Sequence, residues 1–96
     1  MEFYSFDQYL LTCTKTQRKV FKFFLDHYND KPISFTNPYI AGKVDCCAIT
    51  VKTSTRKFHR DGMIVKYQLN GKFDVNTFAF TDLFKKLMDK KRNNYE

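Results

Sequence analysis

Between Ile49 and Arg60 the chain carries Thr50, Lys52, Thr53, Arg56, Lys57 and Arg60. Ile49, Val51, Thr55 and Phe58 recur at helical spacing. If they face inward, the step of about 100° per residue leaves the other six outward or flanking. Four of those six are cationic. The chemistry of such a face is recognition of a polyanion. Arg56 can make a bidentate contact with guanine, Thr50 and Thr53 can bond bases or phosphates, and Lys52, Lys57 and Arg60 can neutralise phosphates. Lys66 and Lys72 extend the positive strip along a following hairpin. From Lys43 to Lys72 there are seven basic residues against two acidic ones, Asp45 and Asp61, so this stretch holds most of the net charge of +7. A merely solvated helix face is the competing reading of the same pattern.

Residues for catalysis or metal chemistry are sparse. His27 and His59 are isolated, and His59 sits among Lys57, Arg60 and Asp61, where a polyanion-facing role suits it better than that of a general base. No phosphate-cradling glycine loop and no Ser-His-Asp or Cys-His arrangement at a recognised local spacing occurs. Cys13, Cys46 and Cys47 make an odd count without a Cys-x-x-Cys, and the adjacent pair is badly placed for a mutual disulfide. The expectation is a non-enzymatic protein with no metal and no cofactor, its thiols reduced.

The elements that must position the cationic face follow from local patterns. Ser5 with Gln8 and Thr14 with Gln17 are two capping-box spacings. The first predicts a short helix over about 6–12 burying Phe6, Tyr9 and Leu10. The second precedes a helix over 17–28 with Val20, Phe21, Phe24, Leu25 and Tyr28 on one stripe. The basic residues Lys15, Arg18, Lys19 and Lys22 fall mostly on its opposite face. Pro32 ends this region and Ile33 to Phe35 is extended. Asn37 followed by Pro38 predicts a helix start, with Asn37 as the cap and the helix over 38–44. After a break at 45–47, the helix over 48–61 stops at Gly62, where glycine best tolerates a left-handed backbone.

Two β-rich runs, 63–69 and 72–80, flank Asn70-Gly71, the strongest short hairpin signal, and predict a type I′ turn. Val65, Tyr67, Leu69, Phe73 and Val75 are expected on the core face. Lys66, Gln68, Lys72 and Asp74 are expected on the wet one. Thr81 caps a last helix with Leu83, Phe84, Leu87 and Met88 in a stripe, followed by a basic end at 90–94.

Two helices joined by a tight break, with a long helix in front and a hairpin behind, resemble the winged helix-turn-helix family. The likeness is concentrated in Thr50-Val51, Phe58 and Gly62-Met63-Ile64 with the hairpin, and in layout it spans about residues 14–80. It implies an α+β, mostly α fold: a three-helix core, a two-stranded wing plus a short third strand, and flanking N- and C-terminal helices. It also implies that the helix over 48–61 enters the major groove and the hairpin touches the backbone or minor groove.

A length of 96 residues bounds the chain to one domain, with 1–13 an N-terminal extension, 14–80 the winged-helix core and 81–96 the C-terminal helix and tail. Eleven Phe and six Tyr without Trp make an aromatic core and exclude a disordered polyelectrolyte. No apolar run reaches the roughly 20 residues of a spanning helix, and no signal-peptide pattern opens the chain, so a cytoplasmic protein without a membrane partner is expected. The heavy use of Lys, Asn, Tyr, Phe and Ile is that of AT-rich coding, as in a low-GC bacterium, its phages or mobile elements. The expected partner is DNA, duplex or single-stranded, for transcription regulation. The alternative is a small accessory subunit that docks on a replication or transcription enzyme such as a polymerase, primase or helicase, with single-stranded DNA binding. Surplus apolar surface from Phe3, Tyr4, Phe6, Tyr9, Leu10 and Leu11, together with the C-terminal helix, would then serve a homodimer or that larger partner.

Overall fold

The computed structural model describes residues 5–68 and 75–93. Among them the chain runs α1 (Phe6–Leu10), α2 (Lys15–Asp26), β1 (Ile33–Thr36), α3 (Asn37–Val44), α4 (Ala48–Arg60), β2 (Ile64–Gln68), β3 (Val75–Phe80) and α5 (Asp82–Asn93). The result is a small α+β domain in which the helices enclose one face of a three-stranded antiparallel sheet of order β1-β3-β2. The turn expected at Asn70-Gly71, with Leu69, Lys72, Phe73 and Asp74, lies outside the described residues, as do Phe3, Tyr4 and the end of the basic tail.

Local chemistry sets most boundaries. Thr14 Oγ1 accepts from the Gln17 amide at 3.2 Å while Gln17 Oε1 accepts from the Thr14 amide at 2.9 Å, which starts α2 two residues earlier than its apolar stripe suggests. The expected Asn37 cap is corrected to Thr36. The Thr36 hydroxyl accepts from the Tyr39 amide at 3.1 Å because β1 holds Thr36 extended, and Asn37 is the first residue of α3. Gly62 ends α4 with φ of 80°, and the Met63 amide reaches back to the Phe58 carbonyl at 2.9 Å. Thr81 Oγ1 accepts from the Phe84 amide at 3.2 Å and donates to the carbonyls of Gly62 and Met63, so one side chain starts α5 and ties it to the end of α4.

The core is a packed set of rings. Phe21 on α2 is its hub, with centroids of Phe6, Tyr9, Phe58 and Phe84 at 5.5, 5.3, 5.1 and 5.7 Å. Most of these contacts are tilted or edge-to-face, the arrangement that ring quadrupoles favour. The three helices α2, α4 and α5 meet here, with α1 closing one end through Phe6 and Tyr9.

The sheet presents the opposite face from the one expected. Ile64 pairs with Phe80, Lys66 with Phe78 and Gln68 with Asn76, and directly opposed residues share a face. Phe78, Phe80, Ile64 and Asn76 are buried, whereas Tyr67 is 49% exposed and Val65 and Val75 are only half-buried. The alternation in the hairpin is therefore shifted by one residue relative to the reading that put Val65, Tyr67 and Val75 inside. Phe78 meets Phe24 at 4.9 Å and Phe80 meets Phe84 at 4.7 Å, and those two large rings set the parity of β3. Lys66, expected on the wet face, thereby lands on the helix-facing side.

Candidate nucleic-acid interface

Helix α4 buries Val51, Ser54, Thr55 and Phe58 and exposes Ile49, Lys52, Thr53, Arg56, His59 and Arg60. Ile49 is corrected from inward to outward. It is 75% exposed, because the buried stripe is completed by Ser54 rather than by Ile49. The outward stripe thus combines one aliphatic residue with Lys52, Thr53, Arg56 and Arg60.

Lys57 does not belong to that stripe. Its ammonium donates to Asp61 Oδ2 at 2.6 Å, to Thr12 Oγ1 at 3.1 Å and to the Tyr9 hydroxyl at 3.4 Å, and it lies 4.8 Å from the Tyr9 ring centroid. With 14% of its side chain exposed, it is a clamp between α4 and α1. The cause is Asp61, one turn on, together with a tyrosine that approaches from 48 residues away. The Tyr9 hydroxyl donates to the same carboxylate oxygen at 2.8 Å. Burial and that hydrogen bond push the Tyr9 phenol well above its ordinary range. Burial alone would raise the Asp61 carboxyl, but the bonds from Lys57 and Tyr9 outweigh it and hold the group below the usual carboxylate range.

The two threonines make bonds within the helix region. Thr50 Oγ1 lies 3.0 Å from Cys47 Sγ, and Thr53 Oγ1 donates to the Thr50 carbonyl at 3.0 Å. Arg60 is 74% exposed and its Nε is 3.5 Å from Asp61 Oδ1. His59 is exposed, and its Nδ1 accepts from the Lys66 amide at 2.9 Å, so its ring covers the open edge of β2. Lys72 lies outside the described residues.

Lys52, Arg56 and Lys66 line one groove of about 450 Å³ between the start of α3, the first half of α4 and the helix-facing side of the sheet. Lys66 is its recessed cation. Its ammonium donates to Thr55 Oγ1 at 3.0 Å, and Thr55 in turn donates to the Lys52 carbonyl at 3.1 Å. Desolvation, then the charges of Arg56 and Lys52, lower the Lys66 pKa. Among the described residues no carboxylate lies within 4.0 Å of these three cations. Asn76, 4% exposed, donates its amide to Asn37 Oδ1 at 3.0 Å in the same groove. Sequence reasoning passed over Asn37 and Asn76 as site residues. The available signal was parity, since Asn76 shares its face with Phe78 and Phe80.

Among the described residues no group of three His, Cys, Asp or Glu side chains sits close enough to hold a metal ion. No helix among them is long and apolar enough to cross a membrane. Cys13 is buried, Cys46 half-buried and Cys47 exposed, and all three are free thiols. Compared with protein-family models, curated proteins and solved structures, the chain matches none of them.

Proposed function

We propose that the chain is a winged-helix nucleic-acid-binding protein that grips DNA with the outward stripe of α4 and the adjoining cationic groove, without a catalytic step. The carrying observation is the convergence of Lys52, Arg56 and Lys66 on one groove with no carboxylate within ion-pair distance among the described residues. Like charges are costly to gather against a half-buried wall unless an anion compensates them. The element order supports the winged-helix reading: α2, α3 and α4 form the helical core, β2 and β3 the wing, and β1 the short third strand.

In this arrangement Thr53 faces base edges, Lys52, Arg56 and Arg60 face phosphates, Lys66 meets an anionic group that enters the groove, and exposed Ile49 meets a thymine methyl. Lys57 has no part in it. Fluorescence anisotropy with labelled duplex and single-stranded oligonucleotides tests the reading, using wild type and the Lys52→Ala, Arg56→Ala double variant. The expected result is duplex binding that the double variant weakens by about a hundredfold, the value of two charge-assisted contacts. Equal binding by the two proteins, or no binding of either nucleic acid, overturns it. Stronger binding of the single strand moves the protein to the accessory-subunit class.

A further inference from the structure

The groove beside α4 is recessed, and this distinguishes it from an ordinary phosphate-contacting surface. Phosphates within a continuous strand are flanked by sugars on both sides and are met by side chains that project from the protein. Lys52 and Arg56 are exposed and project in this way, but Lys66 does not. Its ammonium is bonded to Thr55, a residue with no exposed surface, so the third positive charge sits behind the other two. An anionic group must enter the groove to reach it.

We infer that this groove receives the terminal phosphate of a nucleic-acid strand, held by Lys52 and Arg56 at the rim and Lys66 at the base. The inference rests on the nucleic-acid reading above and adds the position on the strand. A terminal phosphomonoester carries close to two negative charges at neutral pH, against one for a diester, and three cations with no carboxylate within 4.0 Å among the described residues favour the dianion. It also has a free end that can enter a cavity. The open groove, of about 450 Å³, exceeds the volume of a phosphate group, leaving room for the attached sugar and part of the base. Asn37 and Asn76 supply amide groups on one side, and Ile49 an apolar wall. Ala48 and Ile49 are the first residues of the 13-residue helix α4, so its positive end adds to the same field.

The experiment compares internally labelled oligonucleotides that differ only at their ends: 5′-hydroxyl, 5′-phosphate and 3′-phosphate, as single strands and as duplexes. The wild-type protein is expected to bind one phosphorylated end about tenfold more tightly than the hydroxyl end, the worth of one charge-assisted hydrogen bond. Lys66→Met, which keeps the length of the side chain and removes the ammonium, is expected to bring that ratio to one. Because the ratio is first read on the wild-type protein, a misfolded variant does not leave the question open. Binding with a ratio of one overturns the terminal-phosphate site and leaves the α4 reading standing, whereas absence of all binding overturns both. Adenosine monophosphate and inorganic phosphate serve as competitors. If either binds in a Lys66-dependent way while the end-group ratio stays at one, the occupant is a free phosphate compound and the strand-end assignment falls.

Discussion

Salt dependence separates cations that meet a polyanion from cations already committed inside the fold. Helix α4 and β2 present Lys52, Arg56, Arg60 and Lys66 to the proposed ligand, whereas the Lys57 ammonium is held by Asp61, Thr12 and Tyr9. Four phosphate contacts on duplex DNA give a slope of log K against log salt of about −3.6, at roughly 0.9 per contact. Affinity then falls by roughly 150-fold between about 50 and about 200 mM salt. Replacing one participating cation, as in Arg56→Ala, reduces the slope to about −2.7 and the fall to roughly 40-fold. Lys57→Met is expected to leave the slope unchanged while lowering thermal stability, because its partners are intramolecular. Anisotropy titrations over a salt series with the three proteins, at a temperature where all remain folded by circular dichroism, measure this. A wild-type slope shallower than about −1 refutes the interface. A Lys57→Met slope that drops as far as that of Arg56→Ala refutes the assignment of Lys57 to the clamp.

Asp61→Asn is expected to destabilise the domain by about 2–3 kcal/mol, since it leaves the half-buried Lys57 ammonium without its anion. The Asp61 carboxyl is held below its unfolded value, so its contribution is present above that value, about 3.9, and is lost as pH falls through the folded one. Urea denaturation between neutral pH and about pH 3 should therefore show a flatter acid limb for the variant, and parallel limbs would count against the network. Ser54 Oγ is buried with no hydrogen-bond partner in the described structure, so Ser54→Ala is expected to stabilise by about 1 kcal/mol. A lowered melting temperature would contradict that. Gly62→Ala meets no atom within 4 Å but must adopt a φ of 80°, which predicts a loss of about 1 kcal/mol. No change on denaturation would show that the turn relaxes. Cys47 is exposed and its thiol is lowered chiefly by the bond to the Thr50 hydroxyl, so iodoacetamide should modify it first and Thr50→Val should slow the reaction. Faster labelling of buried Cys13 would refute this.

How far the molecule was legible in its sequence depended on the range of the interaction involved. The order of elements and most of their ends followed from neighbours within four or five residues. Thr14 with Gln17, Thr81 before α5 and Gly62 after α4 are satisfied by backbone groups on the same stretch of chain, so their spacing alone was informative. The cationic character of the outward α4 face was equally local, because Lys52, Thr53, Arg56 and Arg60 follow from helical periodicity.

Three features were decided by tertiary structure. Both faces of the hairpin carry apolar residues, and only the packing of Phe78 and Phe80 against Phe24 and Phe84 selects the face that holds Ile64 and Lys66. Lys57 looked like its cationic neighbours until Tyr9 and Thr12, from α1 and the turn after it, enclosed its ammonium together with Asp61. The groove arises from the same cause, since Asn37, Arg56, Lys66 and Asn76 are brought together by strand pairing and by helix packing on the sheet. Short-range patterns carry hydrogen bonds that close within a turn of chain. The direction of a sheet face and the company of a buried charge depend on contacts spanning dozens of residues, whose entropy cost is met only when the whole core assembles.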